Sequence, residues 1–278
     1  MLEIHSAVFL FGLSGLFGKF LSLPPLVIVF GRTIFASISL ILIIICLKKP
    51  LTIKSGKEFK ILAPLGIILA VHWVTFFHSI QISTVAVGLL TFSSYPLFVT
   101  VMEPYLFKEK LTLFDVLTAI LILGGIALII PSFNLSNNIT RGVFWGILSG
   151  FTFAVLSLLN RKCVETYSPL IITFFQNSFA ALVLSPFLFL ERWEIQVKDI
   201  FLLMALGVFC TAIAHALFIK GLIHVKTQLA SIISGLEPVY GIVFALILLG
   251  EHPSFRTLMG GILIIGTTLL ATLRQIIT

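Results

Sequence analysis

Charged residues are scarce in this chain. They make up 10% of its 278 residues, whereas 59% are hydrophobic and the mean hydropathy is +1.17. Soluble domains average about 25% charged residues and about 45 to 50% apolar ones, so this composition leaves too few polar side chains to cover a water-facing surface. It excludes a soluble globular fold and predicts a membrane protein.

Cysteine is rare as well. The chain has three, Cys46, Cys163 and Cys210, an odd number scattered in or beside apolar segments. The sequence has no disulfide framework or Cys-His metal spacing, and it lacks the Gly-x-Ser-x-Gly, His-Glu-x-x-His and phosphate-loop patterns. We therefore expect no enzyme, no metal and no cofactor. The lack of a nucleotide-binding segment also argues against direct drive by ATP.

Long apolar runs are what the sequence has in abundance. A membrane-spanning helix needs about 20 residues, and barrel strands would alternate apolar and polar side chains, unlike the nearly continuous runs 34–47 and 117–130. Polar interruptions divide the chain into ten apolar segments: 4–21, 26–47, 61–80, 84–107, 113–130, 142–160, 169–190, 200–219, 227–249 and 255–273. All are long enough to span, which predicts an all-α integral membrane protein with ten transmembrane helices.

Basic residues are distributed unevenly between alternate loops. If the N-terminus is inside, twelve of the 18 Lys and Arg residues fall on the inner side and five on the outer side. The positive-inside rule then places both termini in the cytoplasm. The net charge of +7 is a topology signal under this interpretation, and we expect no nucleic-acid partner. The first segment lacks a basic leader and a cleavage pattern, so we interpret it as a membrane helix.

An internal repeat is the most informative feature. Shifting the chain by 142 residues aligns equivalent residues in several segments: Phe11 with Phe153, Lys19 with Arg161, Phe76 with Phe218, Pro96 with Pro238, and Glu109 with Glu251. The two copies, 1–133 and 141–278, hold five spans each, and because five is odd the second copy enters the membrane inverted. Two inverted halves with a binding site between them are common in secondary transporters, although some channels share them.

The chain resembles EamA-type members of the drug/metabolite transporter superfamily in two segments. The first runs from Tyr95-Pro96-Leu97-Phe98 to Phe107-Lys108-Glu109-Lys110-Leu111-Thr112, and the second from Leu236-Glu237-Pro238-Val239-Tyr240 to Leu249-Gly250-Glu251-His252-Pro253. The likeness covers essentially the whole chain. One departure is that Phe107-Lys108 stands where Leu-Gly usually precedes the first glutamate.

The resemblance implies a carrier of small metabolites, amino acids or amphipathic compounds in the bacterial inner membrane, most often an exporter. It also implies a central cavity lined by the first, third, fourth, sixth, eighth and ninth helices, with the fifth and tenth at the periphery. The expected partners are a small-molecule substrate and the lipid bilayer, and the protein is expected to be a monomer or a homodimer.

Glu237 is the first candidate site residue. It lies near the middle of the ninth segment, where an unpaired charge costs about 2.5 to 3.5 kcal/mol, so it should face a cavity or a partner. Pro238 follows and removes a backbone hydrogen bond, which can open the helix. Glu237 either binds a substrate amine or carries a coupling proton, or it is a structural acid beside a kink.

Two histidines are further candidates because imidazole titrates near neutral pH. His72 lies in the third segment and His215 in the eighth, where Trp73, rather than His72, is the strict repeat equivalent of His215. Each histidine either carries a proton or contacts substrate, or is satisfied locally. His215 sits deeper, and we place it with Glu237 as the coupling pair.

Arg32 lies about one and a half turns into the second segment. It either attracts an anionic substrate group, pairs with Glu237 or Glu103, or extends to the outer headgroups. The predicted substrate site also includes aromatic and hydroxyl residues: Trp73, Tyr95, Tyr240, Trp145 and Ser94. Aromatic faces stack on rings or hold cations, although Trp145 is also placed for an interfacial belt.

The glutamates Glu109 and Glu251 close equivalent helices on opposite sides. We expect them either to pair with Lys110 or Arg256 and fix the helix ends, or to act as gate latches. Together the sequence features predict a secondary active transporter that works by alternating access, with proton-coupled export. The alternatives are uncoupled uptake or exchange of a metabolite, and a passive channel or scramblase.

Overall fold

The computed structural model describes residues 1–49, 56–107, 112–132, 134–189 and 192–277, and within these ranges it contains helices and no strands. The helices are α1 (Leu2–Phe20), α2 (Pro25–Cys46), α3 (Gly56–Ile82), α4 (Val85–Phe92), α5 (Tyr95–Phe107), α6 (Leu113–Ile129), α7 (Asn138–Cys163), α8 (Pro169–Leu184), α9 (Val197–Gly207), α10 (Ala214–Gly221), α11 (Thr227–Ser234), α12 (Glu237–Leu249) and α13 (Phe255–Ile277). A short 3-10 segment, Ser185–Phe189, follows α8, and a π-helical turn, Val208–Ile213, joins α9 to α10.

Six helical stretches are long and apolar enough to cross a membrane. They are Pro25–Cys46, Lys60–Ile82, Val85–Phe107, Asn138–Cys163, Pro169–Phe189 and Val197–Gly221. Three shorter apolar helices, Val116–Ile129, Glu237–Leu249 and Phe255–Leu270, add to them. The predicted all-helical, multi-pass membrane protein is therefore confirmed.

Local residue chemistry sets where several helices begin and end. Pro25 and Pro169 begin α2 and α8, where a missing backbone N–H costs nothing. The Thr84 side chain caps α4 by accepting from the Val87 N–H, and Asn137 caps α7 by accepting from the Ile139 N–H at 2.8 Å. These caps satisfy donors that would otherwise be left unpaired in an apolar environment.

Two of the apolar segments are broken near their centre. A turn at Ser93–Ser94 separates α4 from α5, and a turn at Gly235–Leu236 separates α11 from α12. Proline stands second in each following helix, as Pro96 and Pro238. The break before Pro238 agrees with the prediction that this proline opens the helix. The break before Pro96 was not predicted, although its repeat alignment with Pro238 was available as a signal.

Close packing joins α6 to α13 away from the centre. A Cβ atom added at Gly260 would lie 2.5 Å from the Gly125 carbonyl oxygen and 2.6 Å from Ile129, so the two backbones meet directly. The centre itself is built around α3, which packs along α7 and α8, while α1 lies against α10 and α12. This arrangement brings helices from both ends of the chain to one point.

Candidate functional site

A small cavity of about 20 Å³, enough for about one water molecule, lies where these central helices meet. Half of its lining is aromatic, from Phe11, Trp73, Phe76, Phe92 and Phe153, and the rest is polar or charged, from Ser14, Arg32, His72, His215 and Glu237. Five residues that were selected from the sequence therefore come together: Glu237, Trp73, His72, His215 and Arg32. Aromatic walls with a few convergent polar groups are a combination found at small-molecule sites.

Glu237 is the first residue of α12 and is buried. The break at Gly235–Leu236 places its carboxylate at a helix N-terminus, where the backbone dipole favours negative charge. Arg32 borders the same cavity. The cavity thus holds one carboxyl group, one guanidinium group and two imidazoles, and it is not a simple hydrophobic core.

Arg32 is held by the π-helical turn between α9 and α10. Its Nε donates to Thr211 Oγ1 at 2.9 Å, and its Nη2 donates to the Cys210 carbonyl at 3.3 Å. The guanidinium carbon lies 3.8 Å from the centroid of the Trp73 ring, within cation-π range. Arg32 is only 1% exposed, so the interpretation that it extends to the headgroups is wrong. Its Nη1 has no hydrogen-bond partner in the described part of the chain.

The two cavity histidines differ in their surroundings. His72 Nδ1 lies 2.9 Å from Ser149 Oγ and 3.0 Å from the Ser149 carbonyl, and its ring stacks on Phe153. His215 packs against Trp73 with 5.7 Å between ring centroids, and neither of its ring nitrogens has a hydrogen-bond partner among the described residues. His72 is therefore tied into the packing, whereas His215 offers two nitrogens to a solute or proton.

The other predicted site residues lie around or outside the cavity. Tyr95 packs its ring on Phe153 at 5.0 Å, just beyond the aromatic wall, and Ser94 lies buried in the turn before it. Tyr240 contacts Phe9 at 5.4 Å, and Trp145 contacts His78 at 5.2 Å. Of the described residues that border the cavity, none is Tyr240 or Trp145.

Sequence reasoning missed part of the lining, chiefly phenylalanines. Phe11 and Phe153 lie on facing helices with their rings 6.4 Å apart. Their repeat alignment was a usable signal, because equivalent residues of inverted halves meet near the axis between them. No comparable signal marked Thr211, whose role depends on the π-helical turn.

Polar contacts close the molecule at both ends of the cavity. At one end Lys19 donates to the Ser83 carbonyl at 2.8 Å and lies 4.0 Å from Glu251 Oε1, while Glu251 Oε2 accepts from the Val85 N–H at 2.9 Å. At the other end Arg161 pairs with Glu103.

The structure corrects the predicted partner of Glu251. Glu251 contacts Lys19 and Val85, and Arg256 instead donates to the Pro131 carbonyl. Glu109 and Lys110 lie outside the described residues.

Known proteins resemble this chain along its whole length. The EamA-like transporter family matches it twice, at residues 2–130 and 140–273. The chain belongs to the EamA-like transporter family. "Uncharacterized transporter YxxF" of Bacillus subtilis (strain 168) is 26% identical over 282 residues, 99% of this chain and 90% of that protein. "Uncharacterized inner membrane transporter YicL" of Salmonella typhimurium is 30% identical over 163 residues, 57% of this chain and 54% of that protein.

A solved crystal structure shares the fold of this EamA-like transporter. The two chains superpose with a TM-score of 0.75 at 18% identity, over 98% of this chain and 97% of the other. The family and its relatives are transporters, which is not an enzyme class. The predicted family and the general function of transport are thereby confirmed.

Proposed function

We propose that this protein is a secondary active transporter that exports a small amino-acid-like or amphipathic metabolite across the cytoplasmic membrane by alternating access, coupled to protons. The observation that carries the proposal is a carboxyl group, Glu237, and a guanidinium group, Arg32, lining one half-aromatic cavity. Burying an acid and a base in a membrane protein is costly, which favours a functional reason for both.

The proposed architecture is ten spans in two inverted five-helix repeats, 1–133 and 141–278. Helix bounds support it: α4 covers 85–92 and α11 covers 227–234, while α5 covers 95–107 and α12 covers 237–249. Both pairs of bounds differ by the 142 residues that align the sequence halves. The double match to the family supports the same division.

A zwitterion fits the chemistry of the cavity. Arg32 Nη1 would receive a carboxylate, and the Glu237 carboxylate would receive an amine. The apolar part of the solute would pack against the phenylalanine rings of Phe11, Phe76 and Phe153. In many secondary transporters, broken helices end beside a site near the membrane midplane, and these helix ends bind charged groups.

Contacts at opposite ends of the cavity favour alternating access. Lys19 and Arg161 are repeat equivalents, and each pairs with a glutamate of the other half, Glu251 and Glu103 respectively. Breaking one pair while keeping the other would open the cavity to one side. We place both termini in the cytoplasm of a bacterial cell on the distribution of basic residues.

Proton coupling is assigned to Glu237 and His215. A carboxylate that alternates between a proton and a substrate amine makes the two compete for one site, which is the simplest coupling mechanism. His215 is a second proton acceptor in the same cavity, because both its ring nitrogens lack partners in the described part of the chain.

Flux into proteoliposomes tests the proposal. Purified protein is reconstituted, and uptake of radiolabelled amino acids is measured with and without unlabelled amino acid inside, and with and without a pH gradient. We expect saturable uptake that internal solute stimulates and that the gradient accelerates. Flux that rises linearly with concentration and shows no stimulation would establish a passive pore instead, and saturable flux that ignores the gradient would remove the coupling.

A further inference from the structure

A row of buried polar side chains leads away from the cavity along α5, α7 and α8. Ser157 lies one helical turn beyond Phe153 of the cavity wall, and Asn160 lies a further turn along α7. Asn160 accepts a hydrogen bond from Gln176 of α8, which is followed by Asn177. Together with Tyr95, these side chains are at most 1% exposed. The row ends at the ion pair of Arg161 with Glu103.

Hydrogen bonding within the row is incomplete. The Tyr95 hydroxyl lies near Ser157 and Ser234 but has hydrogen-bond geometry to neither. Four more atoms lack a partner within the described ranges: Ser157 Oγ, Asn160 Nδ2, Gln176 Oε1 and Asn177 Oδ1. Polar residues that serve only to join helices are expected to be satisfied, because each buried unpaired group is costly. Five such groups in one row point to partners outside the protein, which water or a polar solute would supply.

The opposite half of the molecule is built differently at equivalent positions. The repeat equivalents of Ser157 and Asn160 are Gly15 and Gly18 on α1. A Cβ atom at Gly15 would touch Leu89 and Ile80 at 3.5 to 3.6 Å, and one at Gly18 would meet Ile80 at 2.9 Å. At these two positions apolar side chains therefore pack against bare backbone, whereas the equivalent positions of the other half carry a hydroxyl and an amide.

We infer that the side chains of Tyr95, Ser157, Asn160, Gln176 and Asn177 form the inner half of the solute path, and that the closed molecule opens more readily on this side. The inference rests on the proposed function. Opening separates α5 from α7 and breaks the pair of Arg161 with Glu103, and the unpaired hydroxyls and amides then bond to water and to the solute. Because the row carries no net charge, it suits a neutral or zwitterionic polar solute and does not compensate for the desolvation of a net charge.

Cysteine accessibility tests the path without requiring a known substrate. Cys46, Cys163 and Cys210 are replaced by Ser, and Ser157→Cys, Asn177→Cys and the matched control Gly15→Cys are introduced singly. Each variant is treated with a charged, membrane-impermeant methanethiosulfonate in inside-out and in right-side-out vesicles. Thermal unfolding of each variant shows which ones are folded. Because two path positions are tested, the experiment remains informative if one of these variants does not fold.

The expected result is labelling of Ser157→Cys and Asn177→Cys from the cytoplasmic side only, on the order of tenfold faster than Gly15→Cys from either side, a ratio that corresponds to about 1.4 kcal/mol. The inference is overturned if folded path variants stay unlabelled in vesicles that still transport amino acids, or if Gly15→Cys reacts from outside as fast as Ser157→Cys reacts from inside. Labelling as expected in vesicles without any flux would support the path and reject the proposed function.

Discussion

Tyr95 and Glu237 occupy the same place in two broken helices. Each is the first residue after a two-residue turn, Ser93–Ser94 in one half and Gly235–Leu236 in the other, and each is followed by proline. Glu237 carries a carboxyl group, whereas Tyr95 carries a phenolic hydroxyl. The same backbone device therefore presents a hydroxyl in the first half and an acid in the second, which makes the site chemically asymmetric.

Glu237→Gln is expected to remove the pH dependence of transport and to reduce amino-acid flux about tenfold or more. The amide keeps the shape of the side chain but cannot carry a proton or a negative charge. Flux is measured in proteoliposomes across a range of external pH. Glu3→Gln is the control, because Glu3 is partly exposed at the start of α1 and pairs with Lys220 away from the cavity. An unchanged pH profile in Glu237→Gln contradicts the coupling role.

Thr211→Val is expected to destabilise the protein by about 1 to 3 kcal/mol, because the buried Nε of Arg32 loses its acceptor. Thr211 Oγ1 donates to the Leu206 carbonyl at 2.8 Å, so its lone pairs face Arg32. Thr211→Ser keeps the hydroxyl and should recover most of the loss. Thermal unfolding in detergent measures both variants. Equal stability of wild type, Thr211→Val and Thr211→Ser would show that this contact has no energetic weight.

Replacing each cavity histidine by phenylalanine distinguishes a role in stability from a role in transport. His72→Phe loses the hydrogen bond to Ser149 and is expected to cost about 1 kcal/mol, with its aromatic stacking retained. His215→Phe removes two nitrogens that have no partner in the described ranges, so stability should hold while amino-acid flux falls. Unfolding temperature and flux are measured on both. A His215→Phe protein with normal flux and pH dependence would rule out a role for this ring.

Two glycines of α13 provide a matched test of the packing on α6. Gly260→Ala is expected to destabilise by about 1 to 3 kcal/mol, since the new methyl group would meet the Gly125 backbone. A Cβ atom at Gly266 would have nothing within 4 Å, and alanine is the better helix former, so Gly266→Ala should be neutral or slightly stabilising. Unfolding temperatures compare the two. Equal effects would mean that α6 and α13 do not meet closely at Gly260.

Several site residues could be predicted from the sequence because a polar side chain within a long apolar segment indicates a structural or functional role. Arg32, His72, His215 and Glu237 each interrupt such a segment, and all four border the cavity. Aromatic residues were harder to select, since 27 phenylalanines leave a ring in the cavity indistinguishable from one facing lipid. Tyr240 and Phe11 illustrate this: the first was selected and packs against Phe9, whereas the second was overlooked and borders the cavity.

The sequence by itself determined that this chain is helical, crosses a membrane and belongs to a transporter family, because composition, apolar run length and the family's segments are properties of the chain read in order. Tertiary structure alone decided what Arg32 touches, which histidine is tied down, and which glutamate partners Lys19. Those outcomes depend on contacts between residues far apart in the sequence, such as His72 with Ser149 and Arg32 with Thr211. They also depend on a π-helical turn and a helix break, which set where the neighbouring side chains point.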